Sequence, residues 1–90
     1  MTNDQMKPGR YARWAFARRL HRRIVAHIDA GGVVDIGTSG RVTRITSRHR
    51  DMIRAGKDGL YIQAGRRWDC LPVIVLPDRA ALSGCGIRFH

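Results

Sequence analysis

The sequence predicts an α+β domain: a long N-terminal amphipathic helix packed on a small, mostly antiparallel sheet made of two hairpins, with a short middle helix. Three observations predict it. Arg10 to Ala30 carries an unbroken helical period. Two later stretches carry strand alternation around glycine-containing turns. Nowhere does the chain show the strand–helix–strand rhythm of a parallel sheet, and it has no internal repeat.

The helix is the element against which the rest must be built. On a wheel of about 100° per residue, Trp14, Phe16, Ala17, Leu20, Ile24, Val25 and Ile28 share one half. Arg18, Arg19, Arg22 and Arg23 occupy the other half, with Tyr11 beside them. Residues 1–9 read as a flexible lead-in, because Pro8-Gly9 resists an early helix, and residues 10–90 as the single domain. Gly31-Gly32 supplies the stop, and Asp29, badly placed at the negative end of the helix dipole, is expected to pair with an arginine.

Val33 to Gly37 reads as a strand, Thr38-Ser39-Gly40 as a turn and Arg41 to Thr46 as the return strand. The alternation in that hairpin is mixed and does not choose a buried face. Thr46-Ser47 then offers an N-cap for the short helix, Arg48 to Ala55, closed by Gly56 and anchored by Met52, Ile53 and Ala55. Leu60 to Ala64 is the clearest strand, and it pairs back through Gly65-Arg66 with Arg67 to Leu71. Val73 to Leu76, bracketed by Pro72 and Pro77, fits a short buried strand or a segment bridging the core. Asp78 to Leu82 suggests one helical turn, and Ile87 to Phe89 a last strand.

Ninety residues bury only about 60–65% of their unfolded surface, so the core is modest and the margin of stability thin. An apolar fraction of 43% is enough for such a core. The charge is lopsided: 17 Lys and Arg against 7 acids, net +10. All the acids are Asp, and all the cations except Lys7 and Lys57 are Arg. GC-rich coding explains a preference for Arg over Lys but not the net charge. Guanidinium groups bind phosphate in a planar, bidentate manner, so a phosphate-rich partner is the leading expectation.

The expected function is that of a small basic, non-enzymatic, accessory or regulatory nucleic-acid-binding protein that contacts phosphates through an Arg-rich helix face. Arg18, Arg19, Arg22 and Arg23 form two like-charged i, i+4 pairs that an anion would relieve. Arg41, Arg44, Arg48, Arg50, Arg54, Arg66 and Arg67 extend the candidate surface over the hairpins and the middle helix. Tyr61 and Trp68 lie on paired strands; outward they would stack on bases, but a tryptophan in so small a domain is expected in the core, as is Trp14. A helix-turn-helix does not fit, since the segment before the middle helix reads as a strand.

The alternative is a small phage- or plasmid-type inhibitor or regulator that binds another protein, either an acidic one or a nucleic-acid-processing enzyme complex. An exposed aromatic patch rimmed by Arg would favour a protein partner, and Arg at the centre would favour nucleic acid. The long helix also leaves room for a homodimer that shares it. A third reading, a metal-dependent nuclease, needs at least two Asp residues in one cleft. The candidates Asp35, Asp51, Asp58 and Asp69 are scattered, and neither G-x-S-x-G nor a phosphate-binding Gly loop is present.

No cofactor or metal is expected. Cys70, Cys85, His49 and His90 match no zinc spacing, and His21 and His27 do not share a helix face. The polar N-terminus lacks a signal-peptide core, and no apolar run approaches the ~18 residues of a membrane span. A cytoplasmic protein with two small, buried, reduced thiols is the expectation.

Overall fold

The computed structural model describes residues 8–38 and 40–90, with side chains from Tyr11 onward. Helix α1 spans Pro8–Asp29. Proline is tolerated in the first helical turn because its missing N–H would have no partner there. Pro8 and Gly9 thus belong to the helix and not to a lead-in; the remainder of the expected lead-in, residues 1–7, and Ser39 of the first turn lie outside the described residues.

The helix ends in a hydrogen-bonded stop. Gly32 N–H donates to the His27 carbonyl at 2.9 Å and Gly31 N–H to the Ile28 carbonyl at 3.0 Å. Gly31 has a φ of +92°, the left-handed conformation this motif requires and a Cβ disfavours.

Seven strands follow: β1 (Val34–Thr38), β2 (Arg41–Ile45), β3 (Ile53–Ala55), β4 (Gly59–Ala64), β5 (Arg67–Val75), β6 (Ala80–Leu82) and β7 (Cys85–Phe89). They form two antiparallel sheets, not the single small sheet that the sequence predicts. The first has the order β2-β1-β7 and the second β3-β4-β5-β6. Both expected hairpins are present. What separates them is the closing strand: β7 pairs back to β1, Val34 opposite Phe89 and Ile36 opposite Ile87, and not to the second hairpin.

The middle segment differs from its expectation. Thr46 caps it, its hydroxyl accepting from Arg48 N–H at 3.4 Å while His49 Nδ1 accepts from Thr46 N–H at 3.0 Å. The capped element is a 3-10 helix, Ser47–Met52, and stops short of Ala55. So short a helix has little stability of its own. Ile53 gains more by entering β3 opposite Ile62, where it is buried; Met52, an expected anchor, is 41% exposed.

Val73 to Val75 continue β5 and do not form a separate strand. Pro72 marks the point where the partner changes. Val73 N–H donates to the Asp58 carbonyl beside β4, and the Pro72 carbonyl accepts from Ser83 N–H beside β6. Pro72 therefore supplies the acceptor needed there and lacks only a donor on that edge. Asp78 to Leu82 is not helical. Leu76 and Arg79 close a turn, with Leu76 N–H on the Arg79 carbonyl at 2.7 Å, and β6 begins at Ala80.

The inner faces of both sheets meet α1. Leu20, Ile24, Ile28, Val34, Ile36, Ile45, Ile53 and Leu60 form one buried cluster, flanked by Phe16, Ile62, Leu71, Leu82, Ile87 and Phe89. Ile45 settles the first hairpin: its face, with Val34 and Ile36, is the buried one. Trp14 is half-buried and lies outside that cluster. No helix among the described residues is long and apolar enough to cross a membrane.

Candidate functional site

Strand parity builds the site. Leu60 points into the core, so its neighbour Tyr61 points to the opposite face of the second sheet. Tyr61 stands opposite Arg54 on one side and Cys70 on the other, and Gln63 stands opposite Trp68. Arg54, Tyr61, Gln63, Trp68 and Cys70 therefore share the face turned away from α1. Trp68, expected in the core, is half-buried on this outer face.

Arg54 lies over the Trp68 ring, its Cζ 4.1 Å from the ring centroid. Tyr61 lies against Gly56, so closely that a Cβ there would collide with its ring. The two rings, with Arg54, Ala55, Gly56, Lys57 and Asp58, line an open cleft of about 440 Å³. The Tyr61 phenol is pushed above its ordinary pKa, first by its hydrogen-bond contact with Cys70 and then by charge, burial and nearby Asp58. It is therefore a neutral hydrogen-bonding group at neutral pH.

The four candidate helix arginines, Arg18, Arg19, Arg22 and Arg23, are exposed, and they divide between two flanks. On one, Arg22 lines a groove of about 900 Å³ with His21, Arg50, Arg54, Asp29 and Asp51. His21 fixes one wall by donating from Nε2 to the Ile53 carbonyl at 3.1 Å. Asp29 finds the expected arginine, Arg50, at 3.5 Å. Arg54 lines both this groove and the aromatic cleft, so it stands between the two. On the other flank Arg19 and Arg23 line a groove with Arg79, Phe16 and Leu20, and Arg23 stacks over Phe89 at 4.5 Å. Arg18 stacks over Trp14 at 4.8 Å.

The remaining candidates are dispersed. Arg44 is gripped by Asp35 on the outer face of the first sheet, through Nε at 2.8 Å and Nη2 at 3.0 Å. Those bonds hold the Asp35 carboxyl below its usual range against a desolvation penalty, and the Arg44 charge and His90, 3.0 Å away, act in the same direction. Arg41 is exposed on β2, Arg48 is exposed on the 3-10 helix, Arg66 sits in the β4–β5 turn, and Arg67 approaches Asp69 at 3.8 Å. None of the four lines the groove or the cleft.

Comparison with known protein families, with curated proteins and with solved structures finds no match.

The site's chemistry is therefore read from its own residues. Among the described residues the carboxylates are spread out: Asp35 lies on the first sheet, Asp69 on β5 and Asp58 in the turn before β4, while Asp29 and Asp51 share a groove. Among the described residues no three His, Cys or Asp side chains gather. Cys70 and Cys85 belong to different sheets; both are free and half-buried, not fully buried, and burial raises the Cys85 thiol. What converges instead is a run of guanidinium groups that ends on two aromatic rings. Lys57 and Asp58 join it in the cleft and Gln63 stands opposite Trp68; the sequence reading missed Lys57 and Gln63, and weighed Asp58 only as a nuclease carboxylate. Their signal was present: Gln63 shares the parity of Tyr61, and Lys57-Asp58 is the turn that overhangs that face.

Proposed function

We propose that this protein is a non-enzymatic binder of single-stranded nucleic acid. Its phosphates follow Arg22, Arg50 and Arg54, and its bases stack at Tyr61 and Trp68. The observation that carries the proposal is Arg54, which lines the basic groove and also stacks on Trp68 at 4.1 Å. Binders that tolerate many sequences combine these two elements, a positive track for the backbone and aromatic faces for the bases. A duplex hides its bases and would leave the rings unused. This reading narrows the footprint of the expected Arg face to one flank of α1.

The test is a salt titration of binding to a labelled single strand and a labelled duplex, followed by fluorescence anisotropy. Three phosphate contacts on a single strand give a log–log slope of about −2, at about 0.7 per phosphate. The expected result is micromolar or tighter binding near about 150 mM salt, with the single strand preferred. Binding that vanishes by that salt, or equal binding of the duplex, overturns the proposal.

A specific feature favours a second reading, that of a regulator of an acidic protein. The opposite flank carries an apolar groove lined by Phe16, Leu20, Leu82, Ile87 and Phe89 with Arg23 among them, and Arg19 and Arg79 lie beside it. Apolar surface rimmed by arginine suits a protein partner. Pull-down with the wild type and with Leu82→Asp, read against the single-strand affinity of both, separates the two surfaces.

A further inference from the structure

Asp58 is the one acid in a cleft otherwise furnished with cations and aromatic rings. It and Lys57 form the turn between β3 and β4, closed by Gly56 N–H donating to the Gly59 carbonyl at 2.9 Å. The Asp58 backbone is anchored as well, since its carbonyl accepts from Val73 N–H at 3.0 Å. The Asp58 side chain is exposed, and it takes part in none of the ion pairs among the described residues. A carboxylate at the lip of this cleft opposes phosphate binding there, but it can accept from the N–H donors of a base.

Its chemistry selects among the bases. An ionised carboxylate is an acceptor with two oxygens and nothing to donate. Guanine alone presents two adjacent N–H donors, N1–H and the N2 amine, on its Watson–Crick edge. Adenine and cytosine present one amine next to a ring acceptor, which repels a carboxylate. Uracil and thymine present a single N–H between two carbonyl oxygens. Guanine's remaining polar atoms, O6 and N7, are acceptors that pair with Arg or Lys. The cleft offers both complements, Asp58 for the donors and Lys57 for the acceptors, with the rings of Tyr61 and Trp68 in its lining. Among the described residues the ring–ring contacts are Tyr11 with Trp14 and His27 with Phe89, so Tyr61 and Trp68 are not stacked on one another.

We infer that the cleft lined by Arg54, Lys57, Asp58, Tyr61 and Trp68 is a guanine subsite, in which Asp58 accepts from N1–H and the N2 amine. The inference rests on the single-strand reading and adds a base preference to it.

The test uses labelled pentanucleotides of uridine that carry guanine, inosine, adenine or cytosine at the centre. Inosine is guanine without the N2 amine, and it keeps the ring, N1–H, O6 and N7. Anisotropy near about 150 mM salt should show guanine bound roughly tenfold or more tightly than inosine or adenine. Asp58→Asn, which keeps a good turn residue but has a single acceptor oxygen, should bring guanine down to the level of inosine while the all-uridine strand binds as well as before or better. Circular dichroism checks that the variant is folded. Equal binding of all four strands overturns the subsite and leaves the single-strand reading standing. A guanine preference that survives in Asp58→Asn overturns the assignment to Asp58. Failure of every strand to bind overturns the single-strand reading and this inference with it.

Discussion

Replacing Trp68 with alanine separates stacking from charge. Trp68 is half-buried on the outer face of the second sheet and lies outside the buried cluster, so its loss leaves no cavity in the core. The folded state loses the Arg54 stack, about 0.5–1 kcal/mol at an exposed site, and the cross-strand pair with Gln63, about 0.2–1 kcal/mol. Binding loses more. A stacked base contributes about 1–3 kcal/mol, so the single-strand Kd should rise by roughly 5- to 150-fold. No charge is removed, so the salt slope should keep its wild-type value. Arg54→Gln is the complement: its slope should become shallower by about 0.7. Because Arg54 and Trp68 touch, the double variant should lose less than the sum of the two single losses. Anisotropy titrations at four or five salt concentrations measure all of these. An unchanged single-strand Kd in a folded Trp68→Ala protein would refute the stacking argument, and an equal loss on duplex would refute its restriction to unpaired bases.

Arg22→Glu should weaken single-strand binding at least several-fold more than Arg19→Glu, because only Arg22 shares a groove with Arg50 and Arg54; the same titration reads both. The folded Asp35 carboxyl lies below its ordinary value of 3.8, so its contribution to stability is complete above that pH and is lost as pH falls through the lower folded value. Denaturant unfolding between about pH 5 and about pH 2 should show this loss in the wild type and lack it in Asp35→Asn. Ile24→Ala, at a fully buried position on α1, should cost about 2–5 kcal/mol in the same assay. Gly31→Ala should cost about 1–2 kcal/mol, since alanine must adopt the left-handed conformation there; a neutral effect would mean that the helix stop can rearrange.

The helix was legible because Leu20, Ile24 and Ile28 repeat at a period that only a helix satisfies, and the two hairpins because glycine-bearing turns lie between alternating stretches. The division into two sheets was not. Nothing near Ile87 records that its partner is Ile36, since that pairing spans the whole second sheet. The middle segment misled because Thr46 caps a 3-10 helix as readily as an α-helix, and the burial of Ile53 opposite Ile62 decides where it stops. Local pattern carries half of the candidate site. Arg22, Arg50 and Arg54 stand out as charge, but only the register of β3, β4 and β5 tells which of the many arginines meet. Trp68 shows the limit of composition: the average tryptophan is buried, whereas this one follows the parity of its strand.

The pairing of β7 with β1 bears on the order of folding. The second sheet is a meander in which each strand pairs with its sequence neighbour, so its loops close cheaply. The first sheet has that locality in its β1–β2 hairpin but not in its third strand, because Ile87 must find Ile36 across the whole intervening meander. Topology of this kind slows the long-range step relative to the local ones. The meander and its cleft would then assemble early, with β7 docking last and leaving first. On unfolding, amide exchange should release β7 ahead of β4, so the first sheet acts as a late clasp on a binding face already formed.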